Sequence, residues 1–323
     1  MIKILVIEYP YISNVAYWRI FRPLMVMKRL FPGIFDFRVK RKELNYSDAF
    51  WADVVIMSRP CMGPPENYQA ESLFLQKCRD LGVILIMDLD DHLLGLPDDH
   101  ELFSEYNRPE KRKAIVETLG MANALWVSTP PFLETYSQEA EVIPNAILPV
   151  DLPATPADDN KIWAWRGRAV QVHDLMGAGA AMYERIKTTP KMWYFLGYRP
   201  PLRHGDNTRT VPYVSDPEKY MDTLKKSRFN VIWKPMVECS FNDHKSNIAW
   251  IEATMTGGIC LTNYAGRPGW EFATSKYPGH DAACELWAKS VNEINEKYNL
   301  INTATQRANS ILRFFPHITN TTK

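Results

Sequence analysis

The clearest local pattern of the sequence is Phe241-Asn242-Asp243-His244-Lys245-Ser246-Asn247-Ile248-Ala249-Trp250-Ile251-Glu252, which leads into Gly257-Gly258. It predicts a helix over Lys245–Thr256, capped by Asn242 or Asp243, followed by a buried strand that the glycines allow to pack closely. Lys245 and Glu252 are seven residues apart, which places them within roughly 20° of each other around a helix. A cation at a helix start suits a phosphate, and a carboxylate two turns later suits sugar hydroxyls. The stretch therefore predicts a site for a nucleotide diphosphate and its ribose.

The first half of the chain alternates apolar runs with helical patterns. The apolar runs predict strands at Ile2–Ile7, Asp53–Ser58, Val83–Met87, Ala124–Ser128 and Glu141–Ile143. The helical patterns lie at Tyr17–Leu30, Glu66–Leu81 and Arg108–Leu119. Strands without polar alternation, separated by helices, are typical of a parallel sheet that is covered on both faces.

A proline-rich segment over Pro144–Asn160 predicts a hinge, after which the alternation resumes. The later strands are predicted at Ile162–Trp165, Met192–Leu196, Asn230–Trp233 and Ile259–Thr262, and the later helices at Leu175–Lys187, Pro217–Ser227, His280–Tyr298 and Thr303–Phe314. We therefore expect an α/β protein with two Rossmann-like domains facing a central cleft. The expected bounds are 1–150 for the first domain, 151–300 for the second, and 301–323 for a closing helix.

Composition narrows the class of protein. The 323 residues carry a formal net charge of +1, which gives no global pull toward nucleic acid or membrane. The five cysteines show no CxxC spacing, which favours reduced thiols in the cytoplasm and argues against a disulfide framework or zinc site. The apolar N-terminus is too short for a signal peptide or a membrane span.

Polar groups follow several predicted strands, at the edge that would face the cleft. Asp90, Asp91 and His92 crowd the end of the third strand, where such groups tune each other's proton affinity. Either aspartate could act as a general base, with His92 as the alternative. The competing interpretation is that these side chains cap and solvate a turn.

Two further loops carry candidate binding residues. After the first strand come Asn14, Tyr17, Trp18 and Arg19, which we expect to meet the acceptor, although the aromatic pair could equally be core residues. After Ile162–Trp165 come Arg166, Arg168 and His173, and an arginine beside a glycine turn can reach a diphosphate.

These motifs resemble the GT-B glycosyltransferases, in particular a phage and bacterial branch related to the large retaining family that includes sucrose synthase and mannosyltransferases. The similar segments are Tyr17-Trp18-Arg19-Ile20 with Pro23, Asp88-Leu89-Asp90-Asp91, Val142-Ile143-Pro144-Asn145-Ala146-Ile147, Trp165-Arg166-Gly167 with His173-Asp174-Leu175, and Asn242 with Lys245-Ser246 and Glu252. The resemblance extends from residue 2 to about residue 265.

The resemblance implies a donor site in the second half of the chain. Glu252 would hold the donor ribose, Lys245 and Ser246 would belong to the donor helix, and Arg166 or Arg168 would join Lys245 on the diphosphate. The first half would receive the acceptor. The sequence departs from the family at His244, where a second glutamate is usual, and this leaves retention or inversion open.

The expected activity is transfer of a sugar from a nucleotide-diphosphate sugar, with UDP-sugar as the expected donor, to an acceptor hydroxyl. We expect no cofactor and no metal, because helix starts and basic side chains can offset the charge of the leaving diphosphate. The acceptor stays open between a hydroxymethylated base of phage DNA, a glycan, a lipid and a small molecule. The alternatives are a metal-dependent GT-A enzyme with a single Rossmann-like domain, and a sugar- or nucleotide-binding protein without turnover.

Overall fold

A computed structural model describes residues 1–8, 14–40, 44–60, 65–136, 140–159, 161–168, 171–177, 186, 191–198 and 207–319 of the chain. The chain divides into two compact units. Unit 1 takes Met1–Leu96, Phe103–Asn145 and the chain from Leu300 onward. Unit 2 takes Ala146–Asn299 together with the short segment Pro97–Leu102. Unit 1 therefore includes a segment that follows unit 2 in the sequence, and unit 2 includes a short segment from within the sequence of unit 1.

Unit 1 is built on a parallel six-stranded sheet with the order β2-β1-β3-β4-β5-β6. Its strands are β1 Ile2–Ile7, β2 Phe35–Lys40, β3 Val54–Ser58, β4 Ile84–Leu89, β5 Ala124–Val127 and β6 Ala140–Val142. The central strands are buried along almost their whole length, as expected of a sheet covered on both faces.

The helices of unit 1 pack an aliphatic core against this sheet. They are α1 Asn14–Ala16, a π-helical turn Tyr17–Phe21, α2 Arg22–Leu30, α3 Tyr46–Trp51, α4 Pro65–Asp80, a 3-10 turn Leu93–Gly95, α5 Phe103–Tyr106, α6 Pro109–Gly120, α7 Pro131–Thr135, α13 Leu300–Leu312 and α14 Pro316–Thr319. The late helix α13 buries Ala304, Ala308 and Ile311 among residues of β1 such as Ile4 and Val6. The far end of the chain thus completes the first core.

Unit 2 is built on a parallel five-stranded sheet with the order β11-β10-β7-β8-β9. Its strands are β7 Ile162–Arg166, β8 Met192–Gly197, β9 Thr208–Pro212, β10 Val231–Trp233 and β11 Ile259–Leu261. Its helices are a 3-10 turn Pro149–Asp151, α8 Val172–Gly177, α9 Pro217–Ser227, α10 Ser240–Asp243, α11 Ile248–Met255 and α12 His280–Glu296. Two parallel sheets with connecting helices confirm the predicted α/β class with two Rossmann-like halves. The GT-A alternative, which predicted a single Rossmann-like domain, is therefore wrong.

Two strands that the sequence analysis did not predict, β2 and β9, form outer edges of their sheets. Both are only partly buried, and they carry polar residues such as Asp36 and Arg209. Their half-exposed, polar sequences lack the continuous apolar run that marks a buried strand, whereas the edge strand β11 is fully buried and was predicted.

The stretch over residues 241–252 folds differently from the single helix that was expected. Its chain forms the short helix α10, turns through His244–Asn247, and begins α11 only at Ile248. Helix α11 is buried from Ala249 to Met255, so this part of the helix has no open face for a ligand. The close packing expected at Gly258 is confirmed, because a Cβ there would overlap the carbonyl oxygens of Phe229 and Asn230.

The remaining helix predictions hold with shifts of a few residues. The predicted helix Leu175–Lys187 begins earlier, at Val172, and its later part lies outside the described residues. None of the described helices combines the length and apolarity that crossing a bilayer requires.

Candidate functional site

Each sheet has one place where the chain reverses its direction of travel across the strand order. In unit 1 this switch point lies between β1 and β3, and in unit 2 it lies between β7 and β10. Ligands of open α/β sheets bind in the crevice outside the carboxyl ends of the strands at such points. The residues that directly follow these four strands are therefore the first candidates for chemistry.

Two cations meet at the switch point of unit 2. Trp165 pairs in register with Trp233, so Arg166 and Lys234, one residue further along each strand, are neighbours at the carboxyl edge. Lys234 is almost fully buried, at 3% exposure, and Arg166 is partly buried. Buried cations at a strand edge suit an anionic ligand, since their charge is weakly screened there.

Arg166 is held by Glu252 of α11. The Arg166 Nε atom lies 2.8 Å from Glu252 Oε2, and Nη2 donates to Oε1 at 3.1 Å. Nε also faces the Tyr220 hydroxyl oxygen at 3.4 Å. Burial raises the pKa of Glu252, and Arg166 and Tyr220 oppose that rise. The carboxyl of Glu252 is fully enclosed, which argues against direct contact with a ribose.

A second network ties Lys234 to the loop before α11. Lys234 Nζ lies 3.8 Å from Asp174 Oδ2. Asp174 Oδ1 accepts from the Val237 backbone N–H at 2.9 Å and from Asn242 Nδ2 at 2.7 Å. Asp174 therefore fixes both ends of the segment that leads from β10 to Lys245.

Lys245 lies in the turn before α11 and not on the helix, so the predicted shared helix face with Glu252 is wrong. Its Nζ atom lies 4.0 Å from the centroid of the Phe241 ring, a cation–π contact that directs the ammonium group. Ser246, beside it, is buried at 8% exposure. Both residues stay candidates for donor binding.

His173 belongs to a group of rings formed with the Pro97–Leu102 segment. Its Nδ1 lies 3.6 Å from Asp99 Oδ2, and its ring centroid is 6.0 Å from that of His100. The His100 ring also packs on Phe241 at 5.3 Å, and its Nδ1 accepts from the Leu102 N–H. Burial, with Lys245 and His173 nearby, lowers the pKa of His100. Arg168 is apart from this group, since it is exposed and stacks over Tyr213 at 5.3 Å.

Carboxylates gather beside the switch point of unit 1, after β4, which pairs with β3. Asp90 is buried at 9% exposure and accepts from Asn145 Nδ2 at 3.2 Å. Burial and the neighbouring charge of Asp91 raise the pKa of Asp90, and Arg19, Arg59 and Asn145 oppose the rise. A carboxyl with raised proton affinity at a strand end is suited to accept a proton from a substrate.

Asp91 is partly exposed and forms an ion pair with Arg59, whose Nη2 atom lies 3.1 Å from Asp91 Oδ2. Arg59 directly follows β3 and has a left-handed backbone with φ of 57°. The preceding Ser58 donates its hydroxyl proton to the buried carboxylate of Glu8, which follows β1. The acidic group therefore spans the carboxyl ends of β1, β3 and β4.

His92 is placed differently from the two aspartates. It is 8% exposed, and its Nδ1 lies 3.1 Å from the Tyr136 hydroxyl. Its ring packs edge-on against Phe132 and Tyr136. Burial raises the pKa of Tyr136 to about 12, so this hydroxyl keeps its proton at neutral pH. Enclosure by aromatic rings argues for a structural role of His92 and against a catalytic one.

The predicted acceptor residues lie in and beside the π-helical turn, and their burial argues against contact with an acceptor. Arg19 is 1% exposed; its Nε donates to Asp88 at 2.7 Å and its Nη1 donates to the Ile143 carbonyl. Trp18 is 2% exposed and Tyr17 packs against the core. The side chain of Asn14 lies outside the described residues.

Sequence reasoning missed Arg59 and His100. It expected Lys234 among the polar residues after the strand Asn230–Trp233 but gave it no separate role. Arg59 and His100 lie outside the strands and helices, where a single charged or imidazole side chain gives no sequence pattern that indicates a site. Within the described parts of the chain, no three His, Cys, Asp or Glu side chains come together as a candidate metal site.

No protein-family model matches the chain, and no curated protein sequence matches it. Solved structures do resemble it. One is an alpha-glucosyltransferase in complex with UDP, which is 9% identical with a TM-score of 0.60, over 97% of this chain and 100% of that one. A second is an alpha-glucosyltransferase with UDP and a 13-mer DNA containing an HMU base, at 10% identity and a TM-score of 0.58, over 96% and 99%.

A third similar structure is S. aureus TarM in complex with fondaparinux, alpha-GlcNAc-glycerol and UDP. It is 14% identical with a TM-score of 0.52, over 82% of this chain and 57% of that chain. At these identities the likeness establishes architecture and not activity. The chain therefore has the GT-B fold of these transferases, as its motifs predicted.

Proposed function

We propose that this chain is a glycosyltransferase that moves a sugar from a UDP-sugar to a hydroxyl group of an acceptor. One observation carries the proposal: cations follow the strands at the switch point of unit 2, and a buried carboxyl with a raised pKa follows β4 beside the switch point of unit 1. The fold adds support, because structures of this fold hold UDP. In the proposed roles unit 2 binds the donor and unit 1 receives the acceptor.

The donor diphosphate is proposed to meet Arg166, Lys234 and Lys245. The bond between the sugar C1 and the diphosphate oxygen breaks in the reaction, and negative charge grows on that oxygen. Preorganised cations stabilise this charge most strongly where water is scarce, and Lys234 is nearly enclosed. Glu252 is proposed to act through Arg166, whose guanidinium it holds by two contacts.

Smaller roles follow for the other donor residues. Ser246 and His173 are proposed to complete the pocket beside Lys245, where His173 is already oriented by Asp99. Arg168 is proposed as an outer contact, because it is exposed and its guanidinium is stacked on Tyr213.

The acceptor hydroxyl is proposed to pass its proton to Asp90 as its oxygen bonds to the sugar C1. A general base works best when its pKa lies close to the working pH, and the pKa of Asp90 is displaced in that direction. Asp91 is the second carboxylate of the same loop. Basic side chains supply the charge stabilisation, and we propose that no metal ion is required.

For the acceptor we propose a hydroxymethylated base of DNA. The support is that a structure similar over 96% of this chain contains DNA with an HMU base. The reaction is proposed to take place in the cytoplasm, and the cysteines Cys78, Cys239, Cys260 and Cys284 are free thiols, as expected in a reducing compartment.

The test incubates the pure protein with a panel of nucleotide sugars in the presence of EDTA, with hydroxymethylated DNA, unmodified DNA or no DNA. We expect release of UDP from one UDP-sugar, and only with hydroxymethylated DNA. Release with a glycan or small hydroxyl compound instead would keep the transferase and replace the acceptor. Tight UDP binding without turnover on any acceptor would favour a binding protein.

A further inference from the structure

We propose that Arg59 is a positioning residue that divides the roles of the two neighbouring aspartates, holding Asp91 ionised and in place so that Asp90 alone exchanges the proton. This inference deepens the proposed function and rests on it. It settles a choice that the sequence leaves open, because Asp90 and Asp91 are equivalent in the pattern.

The first support is the backbone at Arg59. With φ of 57°, Arg59 is among the few described non-glycine residues with a left-handed backbone. This conformation is unfavourable for a residue with a Cβ, and it persists where the surroundings impose it, often at functional sites. The left-handed turn comes directly after β3, so it sets the direction in which the side chain leaves the sheet.

The second support is the division of contacts. The Arg59 guanidinium donates to Asp91 at 3.1 Å, whereas the carboxyl of Asp90 accepts from the neutral amide of Asn145. Asp91 thus has a cation as its direct partner, whereas among the described residues no cation pairs directly with Asp90. When two carboxylates share a site, the one with the ion pair keeps its charge and the other takes the proton.

The third support is burial. Asp90 is 9% exposed as a residue, whereas the Asp91 and Arg59 side chains are 17% and 24% exposed. The charged groups that act on Asp90 are Asp91, Arg19 and Arg59. Arg59 also interacts electrostatically with Glu8 and Tyr106. Arg19 donates to Asp88 and to the Ile143 carbonyl, so within the described parts of the chain Arg59 is the cation that pairs directly with Asp91.

The test compares the pH dependence of kcat/KM for the wild type with Arg59→Gly and Asp91→Asn. Glycine suits the left-handed backbone, so Arg59→Gly removes the charge without adding strain. We expect the acid limb to move to higher pH in Arg59→Gly, because both carboxyls then bind protons more tightly. We expect it to move to lower pH in Asp91→Asn, because Asp90 loses the neighbouring negative charge. Arg59→Lys should restore most of the wild-type profile.

The matched control is Arg38→Met, which removes an exposed arginine of the same unit that stacks on Trp51. This control should leave the acid limb of the kcat/KM profile at the same pH. A loss of activity at all pH values without movement of the limb in Arg59→Gly would mean a purely structural role and would overturn the proposal. Equal movement in Arg59→Gly and Asp91→Asn, in the same direction, would overturn it as well.

A carboxyl-carbon NMR titration of 13C-labelled aspartate separates this inference from the proposed function. We expect Asp90→Asn to remove the titration step at higher pH, and Arg59→Gly to raise that step in the otherwise intact chain. If no donor and acceptor pair supports transfer, the proposed function fails, while the titration still decides whether Arg59 divides the two carboxyls. If Asp90→Asn leaves the titration step at higher pH in place, the inference about Arg59 fails independently of the proposed function.

Discussion

The two switch points share a topology and have opposite charge. Unit 1 places Glu8, Asp90 and Asp91 beyond its strands, with Arg59 as the ion-pair partner of Asp91. Unit 2 places Arg166, Lys234 and Lys245 in the corresponding region, with Glu252 paired to Arg166 and Asp174 near Lys234.

In each unit a side chain of opposite charge holds one of the candidate residues in place. Arg59 pairs with Asp91 in unit 1, and Glu252 holds Arg166 in unit 2. In both units the parallel sheet sets the position of the site, and the residues that follow the strands supply the charged groups.

The largest expected effect is the loss of the proposed base. Asp90→Asn should lower kcat by about 10²- to 10⁴-fold, because an amide cannot accept the acceptor's proton. The donor KM should change little, since the proposed donor contacts lie in unit 2. Asp36→Asn, which alters a more exposed aspartate paired with Lys28, is the control and should leave kcat unchanged. A near wild-type kcat for Asp90→Asn would break the assignment of chemistry to unit 1.

The next effect tests the charge of unit 2. Lys234→Gln should weaken UDP binding by about ten- to a hundredfold, the range expected for one charge-assisted contact, with a smaller effect on the acceptor KM. Calorimetric titration with UDP measures it, and Lys226→Gln, at an exposed lysine of α9, is the control. Unaltered UDP affinity in a folded Lys234→Gln protein would remove Lys234 from the donor site.

A third effect tests whether Glu252 acts through Arg166. If it does, a double-mutant cycle of Glu252→Gln and Arg166→Gln should give a coupling of about 1–3 kcal/mol in UDP binding. The second substitution should then add little to the first. Additive losses would instead mean that Glu252 contacts the donor independently, as the family resemblance implied.

The smallest effect concerns pH. Because the pKa of Asp90 is raised, kcat/KM should increase with pH, and the midpoint of that increase should lie above the ordinary aspartate pKa of about 3.9. Asn145→Ala removes a hydrogen bond that favours the ionised form, so the limb should move up by about half a unit to one unit. A limb that moves down in Asn145→Ala would contradict this assignment.

The same raised pKa predicts the direction of a stability change. The ionised form of Asp90 is disfavoured in the folded state, so the contribution of Asp90 to stability is fully present below its unfolded pKa. It is lost as the pH rises through the folded pKa. In thermal unfolding, Asp90→Asn should therefore weaken the decline of the melting temperature over that pH range.

Much of the fold was readable from the sequence because buried central strands are continuous apolar runs. β1, β3 and β4 were predicted within two residues of their observed bounds. The edge strands β2 and β9 were missed because half-exposed residues do not produce that signal. Local patterns detect a strand with a continuous apolar run, including the buried edge strand β11, and miss a strand whose residues are half exposed and polar.

The candidate site was only partly predictable. Arg166, Lys245, Glu252 and the two aspartates stand after or beside strands as expected, but partners decide their roles. Arg19 looked like a binding residue and is instead buried with Asp88, which Arg307 also approaches at 3.8 Å. Ion pairs between residues this distant in sequence depend on tertiary packing, which spacing along the chain does not reveal.

The return of helix α13 to the core of unit 1 has a consequence for biosynthesis. The strands of unit 1 leave the ribosome first, yet Ala304, Ala308 and Ile311 are made only after every residue of unit 2. When residue 299 has been made, unit 2 is complete, whereas the apolar surface of unit 1 that α13 later covers is still exposed. A nascent chain halted near Asn299 would carry a finished second unit and an unsealed first one, a vulnerable species for proteases and a natural client for chaperones.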